Sequence, residues 1–169
     1  MRLSTAFLVL LLIPAPATAQ AVTFEREGVE YVLQLPSPHW RPGRRVDVHE
    51  HYEFVNGADP AEGYLRVRKS LVEAGTTAKD LYQREEPDLK LLPGFVACGS
   101  CEGEPFSGAL SGVVFSYEFT SGGRPMAGRI YYLQVDARTY YVLHFTSARK
   151  KLAGVLPEAD AIVRSFRLR

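Results

Sequence analysis

The chain has 169 residues, the size of one ordinary domain, and 20 Lys+Arg against 19 Asp+Glu leave a formal charge of +1. That balance excludes the basic excess that nucleic-acid phosphates require, and no block of like charge marks a disordered tail. With 46% apolar and 23% charged residues, the composition is that of a folded globular protein.

In chain order, Met1-Arg2 supplies a positive end, Ala6 through Ile13 an unbroken apolar core, Pro14 a break, and Ala17-Thr18-Ala19 a cleavage signal. The pattern predicts a signal peptide over residues 1–19 and a single domain over residues 20–169. The apolar run is far shorter than the roughly 20 residues of a membrane-spanning helix. No cysteine stands near the cleavage point to carry a lipid, and no later stretch is apolar for long enough to span a bilayer. The expected protein is exported, periplasmic or extracellular, and formally neutral once Arg2 has left with the leader.

Period-two alternation of aromatic and β-branched residues dominates the remainder and predicts half-buried strands. Val22–Glu25 and Glu30–Leu35 form the first two, and Trp40 follows in a loop rich in Pro, Gly and Arg. A long strand from Val46 to Val55 puts Val48, Tyr52 and Phe54 on one face and Asp47, His49, His51 and Glu53 on the other. The return strand runs Tyr64–Val72. Pairing Val55 with Tyr64 sets Phe54 against Leu65, Tyr52 against Val67, Glu53 against Arg66 and Glu50 against Lys69. One register then satisfies both apolar and charged pairs.

Thr77-Ala78-Lys79-Asp80 reads as a helix start with a reciprocal cap, and Pro87 as its stop. Cys98-Gly99-Ser100-Cys101 lies in a predicted loop between Pro93-Gly94 and Glu102-Gly103-Glu104-Pro105. In an oxidising compartment these two cysteines, the only ones in the chain, are expected to form a local disulfide. A redox role would need a helix N-terminus to lower the first thiol's pKa, and the neighbouring carboxylates work against that. A three-strand meander follows, with Val113, Phe115, Tyr117 and Phe119 on the first strand, Met126, Ile130 and Tyr132 on the second, and Tyr141, Leu143 and Phe145 on the third. Within it, Tyr131 and Tyr140 are expected on the surface opposite Tyr132 and Tyr141. A closing helix carries Ala159, Ile162, Val163 and Phe166 as one apolar stripe, with Pro157 in its first turn. Strands gathered around two helices predict an α+β layer fold.

This succession resembles the PsbP-like superfamily, which includes the DcrB-type and Mog-type proteins. The residues that carry it are Leu35-Pro36 with Trp40, a long hairpin, the Thr77–Leu81 helix start, the Phe115–Phe145 meander and the terminal Ile162-Val163-Arg164-Ser165-Phe166. The resemblance implies an α-β-α sandwich around a central antiparallel sheet, and binding or accessory roles rather than catalysis.

Three constellations could carry chemistry. His49-x-His51, with Asp47 and Glu53 beside it, has the alternate spacing that presents two imidazoles to one metal, but such spacing also describes a solvated strand face with Arg66 and Arg68 opposite. The four histidines (His39, His49, His51 and His144) join no G-x-S-x-G elbow, phosphate loop or zincin motif, and Glu85 and Glu86 point to different helix faces. His144 is expected to be a hydrogen-bonded structural histidine. Basic residues recur at Arg41, Arg44 and Arg45 beside Trp40, and at Arg66, Arg68 and Lys69, a pattern for an anionic or envelope-surface contact. The reading is therefore a non-enzymatic envelope protein that needs no cofactor and binds an envelope or extracellular protein. The alternatives are a small-molecule or metal-binding periplasmic protein, and an unclassified hydrolase or redox protein.

Overall fold

A computed structural model describes residues 21–45, 52–99 and 102–169, without the side chains of residues 44 and 45. The signal-peptide expectation for residues 1–19 and the Asp47, His49, His51 constellation lie outside the described residues, as does Cys101. The strands are β1 (Val22–Phe24), β2 (Tyr31–Leu35), β3 (Trp40–Arg45), β4 (Tyr52–Asn56), β5 (Tyr64–Leu71), β6 (Val96–Cys98), β7 (Glu104–Ser107), β8 (Ser111–Ser121), β9 (Arg124–Asp136), β10 (Thr139–Ala148) and β11 (Arg167–Leu168). The helices are α1 (Ala78–Lys90) and α2 (Leu152–Arg164).

The main sheet has eight antiparallel strands in the order β3-β4-β5-β10-β9-β8-β6, with β7 also paired to β8. Its centre is the predicted meander, and β10 joins it to the hairpin by pairing with β5. The hairpin register is the expected one: Tyr52 faces Val67, Glu53 faces Arg66, Phe54 faces Leu65 and Val55 faces Tyr64. Trp40–Arg45, expected as a loop, is instead an edge strand on β4. Pro42 is tolerated there because an edge strand has one side without a ladder partner, and the register shifts between Pro42 and Arg45.

The two sheet faces bury separate cores. On one, Phe54, Leu65, Val67, Tyr131, Leu133, Leu143 and Phe145 pack with Ala159, Ile162, Val163 and Phe166. A small sheet, β1-β2-β11, completes this layer with Phe24, Tyr31, Leu33 and Leu35. On the other face, Phe115, Ile130, Tyr132, Tyr140 and Val142 pack with Ala78, Leu81, Tyr82 and Leu89 of α1. The rings of Tyr82 and Phe115 lie parallel, 4.1 Å apart. The result is the expected α-β-α sandwich around an antiparallel sheet.

Four local expectations need correction. The helix α1 runs through Pro87 to Lys90. Proline removes the N–H that would bond back one turn and its ring crowds the carbonyl there, and the buried Leu89 holds the final turn against the core despite that cost. Likewise α2 begins at Leu152, so Pro157 lies inside it rather than in its first turn. Cys98 ends a strand, β6, opposite Ser116, and Glu104 begins another, β7. Finally, a register shift between Thr139 and Tyr140 sets Tyr140 opposite Gln134. Tyr131 therefore shares its face with Tyr141, and Tyr132 with Tyr140, the reverse of the expected grouping. All four are buried.

Candidate functional site

The α1 face of the sheet is unevenly covered. Around Tyr132, Tyr140 and Val142 the helix seals it, while Tyr64, Arg66, Phe119, His144 and Thr146 stay only half-buried. Alternation assigns these residues to one face, and the ladders align them in rows. One row crosses the sheet as Glu53, Arg66, His144, Ile130 and Phe115; the next runs Tyr64, Thr146, Gly128 and Tyr117.

Gly128 makes the second row work. A Cβ there would stand 2.2 Å from Cζ of Tyr117, so only glycine lets the phenol ring lie across β9. Thus placed, the Tyr117 hydroxyl and His144 Nε2 share a hydrogen bond of 2.5 Å. Burial, then the charges of Arg66 and Arg68, push the His144 pKa down to about 3, so the ring is neutral at physiological pH. Burial likewise pushes the Tyr117 phenol up. Protonated phenol and neutral imidazole form a structural pair, as expected for His144.

The surrounding charges have different partners. Arg68 forms an ion pair with Glu85 of α1. Glu86, on another helix face, pairs with Lys90 at 2.8 Å. Glu53 accepts a hydrogen bond from the Tyr64 hydroxyl, whose pKa is raised by burial and by that carboxylate. Arg66, opposite Glu53 in register, makes no ion pair or hydrogen bond among the described residues. Beside this row lies an open depression of about 490 Å³, walled by Tyr64, Phe119, Met126 and Thr146 and by the turns at Pro60 and Gly122.

Arg124 also lines this depression and pairs with Asp59 at 3.4 Å, whereas Lys69 and Trp40 stand elsewhere. Lys69 points to the opposite face and pairs with Glu30 at 2.5 Å, a contact that, with the Tyr141 hydroxyl, lowers the Glu30 pKa. Trp40 is buried rather than displayed beside arginines. Its indole N–H donates to Glu158 Oε2 at 2.7 Å, which also accepts from Asn56 at 3.0 Å and Ser37 at 3.5 Å. Asp160, one helix position pair further on, accepts from Tyr131 at 2.5 Å and lies 3.4 Å from Arg129. Both carboxylates tie α2 to the sheet, and neither stood out in the sequence. Their only signal was their place on the polar side of an amphipathic helix next to the Ala159 and Ile162 stripe.

Among the described residues Cys98 has no disulfide partner, and Cys101, the expected one, lies outside them. Burial and the Glu118 carboxylate raise the Cys98 pKa, the opposite of what a redox nucleophile needs. Among the described residues no group of three His, Cys, Asp or Glu is placed to hold a metal, and no helix is long and apolar enough to cross a membrane.

No family model and no curated protein matches this chain in sequence. Solved structures do match in shape. CyanoP from Synechocystis sp. PCC 6803, a cyanobacterial PsbP, superposes with a TM-score of 0.60 at 11% identity, over 93% of this chain and 97% of its own. LpqN, involved in cell envelope biogenesis of Mycobacterium tuberculosis, gives 0.56 at 18% identity, over 88% and 90%. A protein from Bacteroides thetaiotaomicron VPI-5482 gives 0.57 at 16% identity over 87% of this chain, which spans only 48% of that larger molecule. The fold is PsbP-like.

Proposed function

We propose that this chain is an exported, non-catalytic accessory protein of the cell envelope that binds a protein partner. The observation that carries this reading is the less covered part of the α1 face, where Tyr64 and Phe119 wall a depression and Arg66, two residues along β5 from Tyr64, makes no ion pair among the described residues. Aromatic and Arg residues in such a setting are the usual anchors of protein interfaces. The titratable groups there are held in their unreactive forms, a neutral His144 and protonated phenols, which favours binding over catalysis. A nearly balanced formal charge of +1 and a fold shared with an envelope-biogenesis protein accord with the same reading.

Comparative purification tests it. Tagged wild type and the double variant Tyr64→Asp, Phe119→Asp are recovered from the native envelope after gentle cross-linking. A protein enriched at least tenfold with the wild type and lost from the folded variant supports the reading. Identical recoveries from both would remove this face from consideration.

A further inference from the structure

We propose that Arg66 anchors a carboxylate of an acidic side chain of the partner, while the neighbouring depression takes an apolar side chain two residues away in the same extended segment. The inference rests on the binding role assigned to this face and specifies its ligand chemistry.

The geometry supplies three constraints. First, Arg66 stands on a central strand with its flanking positions, Glu53 and His144, already engaged by Tyr64 and Tyr117. Its other same-face neighbour on β5, Arg68, is neutralised by Glu85. Among the described residues the Arg66 guanidinium is thus left without a carboxylate, in a half-buried position where a charge-assisted hydrogen bond is stronger than in open water. Its planar fork matches a carboxylate held by two parallel N–H donors.

Second, the depression begins one row further along the same strands, at Tyr64 and Thr146. Residues two apart on a strand are separated by about 7 Å, so an extended segment laid along β5 places alternate side chains over Arg66 and over the depression. Third, the depression of about 490 Å³ has Tyr64, Phe119 and Met126 among its walls, which suit a bulky apolar or aromatic group, while Arg124, which also lines it, is already paired with Asp59. The fitting ligand is therefore an acidic residue and an aromatic residue separated by one position.

The test uses the acetylated, amidated peptide Gly-Phe-Ser-Asp-Gly, its Asn-for-Asp counterpart, and inorganic phosphate. Each is titrated into the whole exported domain and followed by NMR. The Asp peptide should shift the Arg66 side-chain N–H and the signals of Tyr64, Phe119 and His144, with at least fivefold tighter binding than the Asn peptide. Arg66→Gln should erase that preference, and Arg66→Lys should restore part of it; the amide spectrum of each variant verifies folding. Equal binding of the two peptides, or shifts away from Arg66, overturns the proposal. Saturation by phosphate without any peptide binding also overturns it, since it would mark a site for free anions. Loss of envelope capture alongside a retained Asp preference would strike only the protein-partner reading.

Discussion

Moving an imidazole out of water disfavours its cation, and His144 is so placed, with Arg66 and Arg68 on the adjacent strand adding repulsion. Its folded-state pKa of about 3 lies below the ordinary value of 6.5, so the unfolded chain binds a proton that the folded chain refuses throughout the interval between them. Stability contributed by neutral His144 is thus fully present above pH 6.5 and falls as pH drops toward 3. Thermal unfolding between pH 7 and 4 should show a declining Tm that His144→Gln makes shallower. An unchanged slope in that variant would mean that other groups govern the acid limb. Gly128→Ala tests the same pair from beneath: forcing Tyr117 aside should destabilise by about 1–3 kcal/mol, as overpacking does. It should also disturb the His144 ring signals, and an Ala variant as stable as wild type with unchanged signals would refute the close approach.

Among the elements, the edge strand β3 owes its position to a contact that reaches outside the sheet. Glu158 of α2 gathers the Trp40 indole, the Asn56 amide and the Ser37 hydroxyl on a single carboxylate oxygen. Glu158→Ala would leave these donors without an acceptor, a loss of about 2–4 kcal/mol if two of them stay dry. Glu158→Gln keeps an acceptor oxygen and should cost less than half as much. Urea denaturation measures both, and equal effects would show that charge rather than the hydrogen bonds holds β3.

Much at this scale was legible in the sequence. The β4–β5 register followed from apolar and charged pairs agreeing in one alignment, and α1's start from Thr77 and Asp80, whose reciprocal bonds are present. The tyrosine faces were not legible. A hairpin closing regularly at Asp136 and Thr139 sets Tyr140 opposite Val135, whereas one irregularity puts it opposite Gln134 and exchanges the faces. Nor could Arg41, Pro42 and Gly43 announce a strand, because only pairing to β4 makes them one. β11 contains just two residues, too few for any periodicity.

For the whole molecule, the informative property is an imbalance between layers. Among the described residues, the α2 side combines a helix and a three-stranded sheet, whereas the α1 side has one helix that leaves part of a wide sheet less covered. Sequence alone marked the aromatic and basic residues but could not divide them, because burial of Trp40 and of four tyrosines depends on which layer covers them. On the α1 face, a small group around Tyr64, Arg66 and Phe119 stays half-buried, and the proposed role belongs to that group. Photo-cross-linking in intact cells tests this most directly, with a photoreactive residue replacing Tyr64 on the open face or Ala153 on the exposed side of α2. The expected result is a discrete protein adduct from position 64, absent from position 153 and abolished by Arg66→Glu. Adducts from position 153 alone, or none from position 64, would contradict a binding role for this face.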